Sequence, residues 1–230
     1  MATRSVYDTE LKKIDHSVYI MGTEVENAID KTIFAFRNKS DSLAADIMKN
    51  DDRIDKMETE IEEDCINIVV KESPIASDWR KIASYMRMSS DMERIADNCS
   101  DIAIYIRKMA AYKDEIEEPK GLDEMFGIMR GMVRDTFESF QQGDVVLASS
   151  VIDEDDVVDQ YFEKMNKEIA ELMKQHPEHI QQYIDYILIN KYIERMADHS
   201  ANIASWVKFI VRGELDLKFT DRYKKESQKN

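Results

Sequence analysis

The chain has 230 residues and a formal net charge of −15, with 43% apolar and 34% charged residues but only six glycines and three prolines. That length holds a sizeable core, and few helix breakers beside many Glu, Lys, Ala, Met and Ile point to long helices in an all-α fold. An acidic field repels phosphate backbones, which excludes nucleic-acid binding, and it favours metal cations or a basic partner surface.

No run approaches the roughly 18 apolar residues of a membrane span, and Met1–Glu10 has no apolar signal core. The sequence therefore predicts a cytoplasmic chain with no membrane insertion. Cys65 and Cys99 sit on apolar helical stripes and read as small core residues rather than a disulfide or metal pair.

From Tyr7 to Phe36 the apolar residues Leu11, Ile14, Val18, Met21, Val25, Ile29, Ile33 and Phe36 advance by threes and fours, which predicts one helix. Asn38–Asp41 breaks it, with Asp41 as the expected N-cap of the next helix. That helix carries Leu43, Ile47, Ile54, Ile61, Cys65 and Ile68, and Asp51 and Glu58 occupy apolar positions of the same stripe. Acidic residues there need a solvated groove or a partner. Pro74 ends the helix and Ser77–Asp78 restarts the chain. A third stripe follows: Tyr85, Met88, Met92, Ile95, Cys99, Ile102, Ile106 and Met109. Asp114–Gly121 combines charge, Pro and Gly and reads as a linker.

After the linker the pattern repeats. Phe36, Leu43, Asp51, Asp52 and Asp55 recur with unchanged spacing as Phe140, Leu147, Asp155, Asp156 and Asp159. Pro177 takes the place of Pro74, and Glu93-Arg94-Ile95-Ala96-Asp97 returns as Glu194-Arg195-Met196-Ala197-Asp198. Self-similarity in fixed order is a tandem duplication. Residues 1–115 form the first repeat, 116–215 the second, and 216–230 a polar tail. Short connections make neighbouring helices antiparallel, so the expected architecture is two antiparallel three-helix bundles with six long helices. At about thirty residues each, those helices would be about 45 Å long.

Both repeats carry acidic pairs one helical turn apart: Asp51/Asp55 and Glu93/Asp97, then Asp155/Asp159 and Glu194/Asp198. Like charges at that spacing repel by a few tenths of a kcal/mol in an isolated helix, so their duplication asks for a counter-charge. If the two helices of a repeat pack side by side, four carboxylates meet, a donor set suited to Mg²⁺, Mn²⁺, Ca²⁺ or iron. Solvated acidic pairs are the competing reading, and Arg94 and Arg195 could neutralise them through surface ion pairs. His199 reads as a lone exposed histidine, and Trp79 and Trp206 as packing anchors. The methionines read as core residues. No Glu-x-x-His pair, Gly-rich phosphate loop, Gly-x-Ser-x-Gly or Cys-x-x-Cys occurs, so no catalytic constellation stands out.

Two three-helix units, each with Asp-x-x-x-Asp followed by Glu-Arg-x-Ala-Asp, resemble the PhoU family of bacterial phosphate-transport accessory proteins. Ala76-Ser77-Asp78-Trp79-Arg80 and the stretch from Met57-Glu58 to Asp64-Cys65 carry the likeness further. It spans residues 8 to 213, with Ala96 and Ala197 where the family usually has Gly. The resemblance implies two pseudo-symmetric helical bundles and metal binding at these motifs, in some members as multinuclear iron or zinc clusters, beside the manganese or magnesium that carboxylates alone would suit. The ligands would be Asp51, Asp55, Glu93 and Asp97, with Asp101 extending the first site, and Asp155, Asp159, Glu194 and Asp198. Asn202 stands opposite Asp101, so the two sites are expected to differ. It further implies a negative regulator of phosphate uptake and of the starvation response. Such a protein is an adaptor between the ATPase subunit of the phosphate ABC transporter and a sensor histidine kinase. It would be a homodimer peripheral to the inner face of the membrane. A carboxylate-bridged metalloenzyme and a metal-storage bundle are the alternatives that the residues alone leave open.

Overall fold

A stripe that returns every three or four residues buries one face of a helix. In the computed structural model, which describes residues 2–72, 74, 76–114 and 116–213, this holds from Tyr7 onward in α1 (Ala2–Asn38). Its Ile14, Val18, Met21, Val25, Ile29 and Ile33 are at most 6% exposed. The same pattern builds α2 (Asp41–Glu72), α3 (Ala76–Ala111), α4 (Leu122–Gln142), α5 (Val145–Gln175) and α6 (Ile180–Arg212). A 3-10 turn, Pro177–His179, precedes α6. All regular elements among the described residues are helical. The expected tail over 216–230 lies outside them.

Two turns repeat one another. Gly143 ends α4 in the left-handed region at φ 64°, and the Asp144 carboxylate then caps α5 by accepting from Val146 N at 2.8 Å and Leu147 N at 3.1 Å. In the first repeat Lys39 takes the left-handed position at φ 46°, and Ser40 Oγ accepts from Leu43 N at 3.4 Å. The α2 cap is thus Ser40, not the expected Asp41. Asp41 lies within the first turn, where its charge suits the helix N-terminus, and pairs with Arg107 at 2.7 Å. Likewise α3 opens one residue before Ser77, with Asp78 in its first turn, and α4 has 21 residues rather than about thirty.

Ion pairs mark the layout. Glu24–Arg53 and Lys31–Asp46 show α1 antiparallel to α2, and Asp30–Arg130 and Arg37–Asp123 show it antiparallel to α4. Gly22 lets α1 and α4 approach, since a Cβ there would stand 3.0 Å from the Phe137 ring. Helices α3 and α6 pack along their length at the centre, with Asp91 against His199, Tyr105 against Tyr192 and Tyr112 against Asp185. One apolar core runs through both repeats. Cys65 and Cys99 are free and buried within it. Trp206 packs on this core and meets Phe209 edge-on, but Trp79, in the first turn of α3, is 51% exposed and is not the packing anchor expected.

The second half of the linker is pinned. Glu118 pairs with Lys39 at 2.7 Å, and Glu168 accepts from Lys120 N at 2.7 Å. Tyr112 donates to Asp185 at 2.6 Å, and Asp185 is 1% exposed with Lys108 Nζ 4.0 Å from its other oxygen. Removing that donor leaves a buried carboxylate short of a partner. Tyr112→Phe should therefore cost about 1–3 kcal/mol. A urea midpoint equal to wild type would show that the buried charge draws its support elsewhere.

Candidate metal centre

Antiparallel packing of α2 on α3 brings two carboxylates one turn apart on α2, Asp51 and Asp55, against Asp97 of α3. One oxygen from each lies within 4.8 Å of the others. Oxygens bound to a single ion at about 2.0–2.4 Å are separated by at most about twice that length, so the spacing admits one shared cation. The described residues yield one such group, and it is this one.

Two carboxylate oxygens of this group are buried without a hydrogen bond: Asp51 Oδ1 and Asp55 Oδ1. Orphaned acceptors of that kind are costly, and a cation held by Asp51, Asp55 and Asp97 would satisfy them. Burial pushes the Asp51 carboxyl up to about 6, with the Ser100 hydroxyl beside it opposing and the charges of Asp97, Asp55 and Asp52 adding. Glu93 is pushed up to about 7, by burial first and then by Asp97, against the opposing charge of Arg94. Asp55 is raised by burial and by Asp97. Hard, crowded carboxylates raised in this way fit Mg²⁺, Mn²⁺, iron or Zn²⁺ with water completing the shell. A cavity of about 70 Å³, lined by Asn27, Asn50, Asp51 and Ser100 among others, adjoins the group on the Asp51 side.

Glu58, noted only as an acidic residue on an apolar stripe, belongs to the same groove. Burial raises its carboxyl, Glu62 adds to the effect, and it acts in turn on Glu93. Arg94 takes the place foreseen for it, with Nε 3.3 Å from Glu93 Oε2 and Nη1 3.1 Å from Asp97 Oδ2. Asp101 is not brought into the triad; it feels Asp97 but faces Tyr192 and Arg195 of α6.

In the second repeat Asp155 and Asp159 of α5, and Glu194 and Asp198 of α6, are half-buried at the corresponding positions, and each has a polar partner. Phe162 stands where Glu58 does in the first repeat, so that groove is more apolar at one end. His199 is not the lone exposed residue expected. It is 19% exposed, its Nδ1 lies 2.8 Å from Asp91 Oδ1, and Asn202 donates to the same oxygen at 3.3 Å. No motif announces this contact, because its members are distant in sequence and meet only when α3 packs on α6.

The family model described as the PhoU domain matches twice, over residues 18–106 and 122–207, once in each three-helix set. The chain belongs to the PhoU family. A PhoU homolog of Pseudomonas putida, named a phosphate-specific transport system accessory protein, is 31% identical over 210 residues, which is 90% of this chain and 81% of that one. The Aquifex aeolicus homolog of the same name is 32% identical over 191 residues, 81% of this chain and 84% of its own. Two PhoU crystal structures share the fold. That from Pseudomonas aeruginosa has a TM-score of 0.88 at 28% identity, covering 90% of this chain and all of that one. The phosphate transport system regulatory protein PhoU from Streptococcus pneumoniae has a TM-score of 0.84 at 29% identity, covering 91% of this chain and 99% of its own. Among the described residues of this PhoU-family chain, no helix is long and apolar enough to cross a membrane.

Proposed function

We propose that this chain is a non-enzymatic negative regulator of phosphate uptake and of the phosphate-starvation response. It acts as an adaptor between the ATPase subunit of a phosphate ABC transporter and a sensor histidine kinase, at the inner face of the membrane and as a homodimer. The observation that carries this reading is its extent: PhoU domains match both repeats, and relatives named as accessory proteins of phosphate-specific transport align along most of the chain. Long helices without a catalytic motif suit an adaptor better than an enzyme.

Metal ions belong to the same proposal. Asp51, Asp55, Asp97 and Glu93 would hold metal in the first repeat, and Asp155, Asp159, Glu194 and Asp198 in the second. The bound ion would tie α2 to α3, and α5 to α6, by bridging carboxylates from both helices of each pair.

Deleting the gene should raise alkaline phosphatase reporter activity in phosphate-replete cells of the source bacterium, and the wild-type gene should restore repression. Unchanged reporter activity, with phosphate uptake and cell phosphate content also unchanged, would sink the regulatory reading.

A further inference from the structure

We propose that Arg94 is a counter-ion built into the first carboxylate site, and that an incoming cation must displace it. The proposal rests on the metal reading above. Its guanidinium is held by the two α3 carboxylates of the site at once, Glu93 at 3.3 Å and Asp97 at 3.1 Å, and Asp97 is one of the three that converge. Arginine stays charged at any working pH and donates no lone pair, so it cannot ligate a metal, and its charge opposes a second cation on the same carboxylates. Leaving is feasible, since its side chain is 53% exposed.

Nearby cations are committed elsewhere: Arg53 pairs with Glu24 at 3.0 Å and Lys31 with Asp46 at 3.5 Å. The counterpart in the second repeat, Arg195, is half-buried and acts on Asp101 of α3. The first site thus carries its own competitor on its own helix. Competition of this kind has a signature that a surface ion pair lacks. Removing Arg94 leaves the metal-free carboxylates less neutralised and the loaded site less opposed, so it weakens one state and strengthens binding in the other.

The test is Mn²⁺ titration of the full chain by calorimetry, with melting temperatures taken in chelator and in saturating Mn²⁺. Arg94→Gln should bind Mn²⁺ at the first site roughly five- to twentyfold more tightly, a gain that shrinks in high salt. Its metal-free form should melt below wild type while the loaded forms melt together. Arg107→Gln removes the same charge from the far end of α3 and should bind as wild type does. If Asp51→Asn loses a site while Arg94→Gln binds no more tightly than wild type, the metal reading stands and the counter-ion proposal is overturned. If wild type binds none of Mn²⁺, Zn²⁺ or Fe²⁺, both fall.

Discussion

Replacing Asp51, Asp55 and Asp97 together by asparagine should raise the melting temperature in chelator and remove a large part of the stabilisation that metal provides. The three carboxylates converge within 4.8 Å, and two of them bury an oxygen with no hydrogen bond. Asparagine keeps the shape and removes the like charges. Discounted for solvent, relieving that repulsion is worth about 1–2 kcal/mol. In a chain of this size that raises the melting temperature by roughly 2–8 °C. With metal present the order reverses. Wild type gains about 2.7 kcal/mol for each site at a free metal concentration of about one hundred times Kd, and the variant keeps only the second repeat's share. Thermal melts in EDTA and in Mn²⁺ decide the matter. A variant that melts lower than wild type in EDTA would mean that the acids are satisfied without metal. Equal gains in Mn²⁺ would place the ligands elsewhere.

Much of the fold was legible because its determinants are local. Ile14, Val18, Met21 and Val25 on α1, and Met88, Met92 and Ile95 on α3, lie on stripes that bury as their spacing demands. The duplication was legible as well, since the spacing from Phe36 to Asp55 recurs from Phe140 to Asp159. The acidic residues of α2 drew notice for a physical reason. Asp51 and Glu58 interrupt an apolar stripe, and a charge placed there needs compensation.

What stayed hidden depends on helices meeting across the repeats. Asp91, His199 and Asn202 gather only because α3 packs on α6, and no spacing within either helix encodes that pairing. The same packing turns Asp101 toward Tyr192 and Arg195, outside the group of three carboxylates. Asp185 was missed for a related cause: its partners Tyr112 and Lys108 come from the end of α3, in the other repeat. Turn chemistry accounts for the misplaced cap. Ser40 and Asp41 are both good N-cap residues, and the left-handed turn at Lys39 decides between them.

That central seam gives the first site a route to the rest of the molecule. Asp97 faces the α2 carboxylates, while Asp101 one turn on faces α6, so both report on the position of α3. A cation that draws α2 and α3 together therefore acts on the helix that carries most of the contact between the repeats.

Acidity provides the sharpest contrast between the metal-free and loaded states. Without metal, the Glu93 carboxyl stands at about 7 and that of Asp51 at about 6, above their ordinary values of 4.5 and 3.8, with Asp55 raised as well. A carboxyl raised on folding makes the folded state the better proton binder. Its contribution to stability is fully present below the ordinary value and is lost as pH rises through the folded value. In chelator, the melting temperature should therefore fall between about pH 5 and pH 8. Metal requires the ionised carboxylates, so the stabilisation it provides should grow over the same interval. The gap between loaded and metal-free melts widens with pH. Pairing Asp51→Asn with Glu93→Gln should flatten the chelator curve while leaving every histidine in place, which separates this origin from imidazole titration. A wild-type curve in EDTA that stays level or rises from pH 5 to pH 8 would show that the metal-free carboxylates are not strained. The case for a cation between α2 and α3 would then lose its energetic basis.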